Sequence, residues 1–271
     1  MTATTHYQQG HLLAIDTSTA ALTVAVLNNG QLLGELSSHA ERNHSIGLLP
    51  QIRKLLGDLG LKPKDLQAVA VGQGPGSYTG VRIGVSVAKT FAWSLGLDLI
   101  GVSSLEAMAL GCSAKVAGIA ETSGSTAVRW FVPLMDARRS QAFTAVYESR
   151  VADAETSWRS VLPDGIRVMA PWTEQLLARA AEATQEAPQE IIFLGETEGF
   201  TAQIEQFAGQ WSGRVQALPY SLEAQYVGLL AYPKLAAGER AEVHTFVPNY
   251  AQLPEAEVNY QAKLKQQRGE L

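Results

Sequence analysis

Two stretches of the chain hold residues whose types and spacing suit anion chemistry. Asp16-Thr17-Ser18-Thr19 puts a carboxylate and three hydroxyls in four consecutive positions. Hydroxyls and amides in such a turn can face a phosphate, with Asp16 set to orient a metal-bound water. The commoner use of such residues is an ordinary turn and cap. The second stretch is Gly72-Gln73-Gly74-Pro75-Gly76-Ser77-Tyr78-Thr79-Gly80. Its glycines permit close backbone approach and positive φ, and a helix starting behind it presents free amides to an anion. Gly74, Gly76 and Ser77 would lie nearest such a ligand. A tight strand-to-helix turn capped by Thr79 accounts for the same residues. The stretch is not a Walker loop, because Gly80 is followed by Val81 and Arg82 rather than by lysine and Ser/Thr.

Other chemistry finds less support. His6, His11, His39, His44 and His244 lack the spacing that puts metal ligands on one helix face. There is no Gly-x-Ser-x-Gly nucleophile motif. Cys112 is the single cysteine, which excludes a disulfide within the chain and a cysteine metal cluster. Asp136-Ala137-Arg138-Arg139 reads either as a surface recognition turn or as a solvated hairpin connection.

The elements that must position these residues follow from periodicity. Residues 12–15 form a buried strand ending at Asp16, and strands 22–27 and 31–36 meet through Asn28-Asn29-Gly30, a tight hairpin signal. Leu48, Leu49, Ile52, Leu55, Leu56 and Leu59 predict an amphipathic helix over 44–59. A strand at 67–71, a helix at 79–95 and a strand at 97–102 follow, giving a mixed sheet with a covered face. In the helix, Gly80, Gly84, Ala88 and Ala92 form a ridge almost free of side chains. It suits either packing on the protein's own sheet or docking of another chain. Residues 121–126 read as a loop between lobes, with paired strands at 129–135 and 141–147, helices at 172–183 and 222–236, a strand at 191–194 and an extended tail from 243.

With 271 residues, 46% of them hydrophobic, the chain can fill a substantial core. A net charge of -5 and a pI of about 5.6 argue against nucleic-acid binding through a basic surface of its own, so any RNA contact calls for a basic partner. The polar first ten residues and the lack of a long apolar run lead us to expect a soluble, cytoplasmic protein away from membranes.

Leu13-Ala14-Ile15-Asp16-Thr17-Ser18, His44-Ser45-Ile46-Gly47-Leu48-Leu49-Pro50, the run from Gly72 to Gly84, Gly101-Val102-Ser103-Ser104-Leu105-Glu106-Ala107 and Asp136-Ala137-Arg138 together resemble the TsaB (YeaZ) family. Pro248-Asn249-Tyr250 is similar to that family's closing Pro-x-Tyr segment, without its Leu-Arg continuation. The resemblance implies an α/β protein with the actin-like ATPase (ASKHA) fold, two related lobes of mixed β-sheets flanked by helices. It divides the chain into an N-terminal lobe at 11–112 with dimerisation helices, a second lobe at 113–219, a helix at 220–240 packing back on the lobes, and a tail at 241–271.

It further implies a non-catalytic scaffold in the bacterial machinery that installs threonylcarbamoyl on N6 of the adenosine next to the anticodon of ANN-decoding tRNAs. The partner is the paralogous transferase TsaD, the ATPase TsaE joins, tRNA is met only through the complex, and the chain is a homodimer when alone. The implied interface residues are His44, Leu48, Ile52, Gly80, Gly84, Ala88 and Ala92. Asp16, Thr17, Ser18, Gly74, Gly76 and Ser77 become a weak, vestigial nucleotide site, with ATP or ADP left open at the boundary with TsaD. The catalytic paralogue carries a Val-Asn-His-Leu-Glu-Gly-His type segment whose two histidines bind metal; the matching positions here are Ser104 and Met108. A hydroxyl and a thioether do not replace two imidazoles, so no metal is expected. The alternative is a stand-alone actin-like ATP-dependent phosphotransferase or carbamoyltransferase using Asp16 and the glycine loop.

Overall fold

The computed structural model describes residues 10–39, 44–119, 127–152, 155–182 and 187–251. The expected loop at 121–126, the tail beyond 251 and His6 lie outside the described residues. The chain opens with β1 (His11–Asp16), β2 (Ala21–Asn28) and β3 (Gln31–His39), followed by α1 (His44–Asp58), β4 (Leu66–Gly72), α2 (Tyr78–Leu95), β5 (Asp98–Val102) and α3 (Ser104–Ile119). The same order then repeats as β6 (Ala127–Asp136), β7 (Gln141–Ala152), β8 (Glu155–Val168), α4 (Met169–Glu182), β9 (Glu190–Gly195), α5 (Thr201–Gln210), β10 (Arg214–Pro219) and α6 (Ala224–Ala236).

Both sheets have one topology. The first runs β3-β2-β1-β4-β5 and the second, read in the matching direction, β8-β7-β6-β9-β10. In each, the first strand is antiparallel to the second and parallel to the fourth, so a hairpin unit meets a crossover unit at the central strand. This repetition makes the two lobes related and gives the actin-like arrangement of mixed sheets flanked by helices.

The β2–β3 turn forms where Asn-Gly predicts it. Asn29 and Gly30 sit at φ 50° and 79°, the left-handed region that glycine tolerates and asparagine accepts best among other residues. Leu48, Ile52, Leu55 and Leu56 of α1 and Val81, Val85, Ala88 and Ala92 of α2 bury against Leu13, Ile15, Val69 and Val71 on one face of the first sheet.

The other face is closed by an exchange. The helix that ends each lobe packs on the opposite sheet, α3 on β6 and β7, α6 on β1 and β2. Leu105, Met108 and Cys112 thereby share one core with Phe131 and Tyr147, and Val227 and Ala231 share it with Leu12 and Leu27. The boundary drawn at 112/113 therefore falls inside α3. This helix gives no amphipathic period because a sheet and α6 bury it on more than one side. The strand β8 also escapes the sequence, since an edge strand carrying Pro163 and Gly165 has no clean alternation. Beyond α6, residues 241–251 run without regular structure against β5 and α2: Ala241 N donates to Leu99 O at 2.8 Å, and Lys89 Nζ donates to His244 O and Phe246 O at 3.1 and 2.8 Å.

Candidate functional site

The hairpin turn after β1 and the glycine loop after β4 meet at the carboxyl edge of the first sheet. Asp16 is 0% exposed. Its Oδ1 accepts from Ser18 N and Ser18 Oγ, both at 2.7 Å, and its Oδ2 accepts from Ser104 Oγ at 2.6 Å. Ser104 Oγ in turn accepts from Gly74 N at 3.2 Å. Ser77 N donates to Ser18 O at 2.7 Å and Thr17 Oγ1 to Gly80 O at 2.7 Å. Asp16, Thr17, Ser18, Gly74, Gly76 and Ser77 are thus brought together, with Asp16, Thr17 and Ser18 buried against the loop and Ser77 exposed.

The glycines explain how so tight a junction is possible. A Cβ on Gly72 would lie 1.7 Å from Asp16 Oδ2, and one on Gly80 would lie 2.0 Å from Thr17 O. The carboxylate that would orient a metal-bound water is buried on two serines, and the turn meets the loop through Ser18 O and Ser77 N. Ser77, rather than Thr79, caps α2 by accepting from Gly80 N at 3.3 Å. Outside the loop, Asn249 N donates to Gln73 O at 2.7 Å, and the Arg82 guanidinium lies 3.8 Å from the Tyr78 ring while its Nε donates to Tyr250 Oη at 2.8 Å.

Ser104 and Met108, the positions matched to metal ligands in the paralogue, are buried in this packing. Among the described residues, no group of three or more His, Cys, Asp or Glu could hold a metal ion. His11 Nδ1 pairs with Asp65 O at the far end of β1.

Leu48, Ile52, Gly80, Gly84, Ala88 and Ala92 are all buried in the protein's own lobe. The small-residue ridge lets α2 approach the turn at Thr17, whose Oγ1 would lie 2.5 Å from a Cβ on Gly84. His44 is the first residue of α1, and its side chain is outside the described set. The outward faces carry other residues: Ile46 and Leu49 on α1, 72% and 52% exposed, and Trp93 on α2, 69% exposed. The helices were legible in the sequence, but the free side of each was not.

In the second lobe the turn after β6 looks different. Asp136 Oδ1 accepts from Arg138 N at 2.7 Å, and Glu196 Oε2 accepts from Asp136 N at 2.6 Å. Arg138, Arg139 and Ser140 have φ of 68°, 53° and 57°, three successive left-handed residues that carry a Cβ. Each costs on the order of 1 kcal/mol.

At the start of α3, Ser103 Oγ accepts from Glu106 N, and the Glu106 carboxylate accepts from Trp158 Nε1 at 3.1 Å. Trp158 stacks on Tyr147, whose Oη donates to Asp164 at 2.6 Å. Burial pushes the Glu106 carboxyl up, and burial with the neighbouring Asp164 pushes the Tyr147 hydroxyl up. Nothing in the sequence singled out Tyr147, Trp158 or Asp164, because their grouping depends on which sheet α3 packs on.

A family model described as "TsaD: tRNA N6-adenosine threonylcarbamoyltransferase" matches residues 34–260. The chain is 34% identical over 250 residues to the "tRNA threonylcarbamoyladenosine biosynthesis protein TsaB" of Bacillus subtilis (strain 168), across 92% of this chain and 97% of that protein. It is 38% identical over 140 residues to the protein of the same description from Escherichia coli (strain K12), across 51% and 54% of the two. Among solved structures, "YeaZ from Pseudomonas aeruginosa" superposes with a TM-score of 0.63 at 26% identity, covering 89% of this chain and 99% of that one.

Proposed function

This chain belongs to the TsaB (YeaZ) family of tRNA threonylcarbamoyladenosine biosynthesis proteins, and we propose that within that pathway it is a scaffold with no chemistry of its own. The observation that carries this reading is the closed junction at Asp16. Its carboxylate is buried on Ser18 and Ser104, and Ser104 also receives Gly74 N–H. A carboxylate so engaged orients neither a metal nor a water.

On this reading the chain pairs with TsaD in the cytoplasm, supports the joining of TsaE, and meets tRNA as part of the complex. The outward side of α1 and α2, with Ile46, Leu49 and Trp93, is the docking face, because large exposed apolar side chains favour contact with a partner. Without TsaD the same face serves a homodimer.

The test is reconstitution. The chain alone, given threonylcarbamoyl-adenylate and tRNA, should transfer nothing, and adding TsaD and TsaE should give transfer. Calorimetric titration of the chain alone with ATP and magnesium should show no binding. Transfer by the chain alone would refute the scaffold reading in favour of a stand-alone transferase.

A further inference from the structure

We propose that the β6–β7 turn is the chain's own contact with the phosphodiester backbone of RNA, made by Arg138 and Arg139. The inference rests on the reading above and adds a site to it. Its starting point is a contrast inside one molecule. Where the chain only needs to reverse direction, between β2 and β3, the left-handed positions hold Asn29 and Gly30. Between β6 and β7 the same backbone region holds Arg138, Arg139 and Ser140. Two long cations sit where local preference favours glycine or asparagine, so their side chains serve something beyond the turn.

The neighbouring charges fit that role. Asp136 and Glu196 direct oxygens at the main-chain N–H groups of Arg138 and Asp136, and so hold the backbone of the turn. Arg138 is 88% exposed, and its ion pair with Asp136, at 3.8 Å between open side chains, is weak enough to yield to a phosphate. A guanidinium fork matches phosphate oxygens bidentately. The turn lies at the carboxyl end of β6, the strand that stands between its parallel partner β9 and its antiparallel partner β7, and Met169 N at the head of α4 donates to Ser140 O. Ligands in α/β sheets gather outside the carboxyl ends of the strands. With a net charge of -5 the chain cannot hold RNA by its overall field, so the contact is local and confined to one or two phosphates.

The experiment uses the complex reconstituted with TsaD, TsaE and tRNA. The double variant Arg138→Gln with Arg139→Gln should raise KM for tRNA about fivefold to tenfold with kcat unchanged, and should lower the salt slope of tRNA binding by about 1 to 2. Lysine at both positions should restore most of the slope. The variant Arg138→Gly should melt higher, by roughly 2 °C, yet still show weakened tRNA binding. A KM and salt slope equal to wild type in the double glutamine variant overturn the proposal, as does a defect confined to ATP dependence. A wild-type chain that fails to support TsaD at all overturns the functional reading instead, and this proposal with it.

Discussion

Each lobe begins with a strand ending in an aspartate whose Oδ1 accepts the N–H two residues on at 2.7 Å. In the first lobe that aspartate is sealed beneath Ser104 and a glycine loop; in the second it stands at the rim beside two exposed arginines. One duplicated hairpin has therefore been converted into internal packing in one lobe and left as open surface in the other. The determinants lie in the flanking elements. Gly72, Gly80 and Gly84 remove the side chains that would hold the loop and α2 away from Asp16 and Thr17.

The largest expected effect comes from forcing the first junction apart. Gly80→Val places a side chain against the Thr17 carbonyl and should destabilise the protein by about 3 kcal/mol or more in chemical denaturation. An ordinary stability would mean that the turn and helix are not so close. The next comparison pits the two aspartates against each other. Asp16→Ala leaves Ser18 N–H and the Ser18 and Ser104 hydroxyls without their buried acceptor and should cost about 3 kcal/mol, whereas Asp136→Ala at the rim should cost less than about 1 kcal/mol. Equal losses would erase the distinction between the lobes.

A smaller effect sits at the seam between them. Burial holds the Glu106 carboxyl above its ordinary 4.5, so the native state favours the protonated form. The stabilising share of this group is complete below the unfolded value and disappears as pH rises through the higher native value. Glu106→Gln, which keeps an acceptor for Trp158, should match wild type in thermal melts near pH 4 and exceed it by up to about 2 °C at pH 7. A variant that melts lower at pH 7 than wild type, while matching it at pH 4, would reverse the assigned sign.

Much of the first lobe was legible in the sequence because its signals are local. The Asn29-Gly30 turn, the leucine spacing of α1 and the glycine loop each predict their element from neighbours in the chain. The gathering of Asp16, Ser18, Gly74 and Ser77 was also legible. Which way those groups face was not, because it depends on Ser104 arriving from α3 across 88 positions. The same limit applies to the interface: Gly80, Gly84, Ala88 and Ala92 read alike whether the close neighbour is a partner or Thr17. The second sheet and its cover were harder, since α3, which packs on it from the first lobe, lacks amphipathic period and β8 is an irregular edge.

The central claim is that Asp16 is a structural residue inside a sealed junction. Asp16→Asn is nearly isosteric and preserves an acceptor for Ser18, and its amide can donate to Ser104 Oγ. In the tRNA threonylcarbamoyl transfer assay reconstituted with TsaD and TsaE, this variant should support transfer within about twofold of wild type. A loss of several orders of magnitude, with the fold and the complex intact, would contradict the account and place Asp16 in the chemistry.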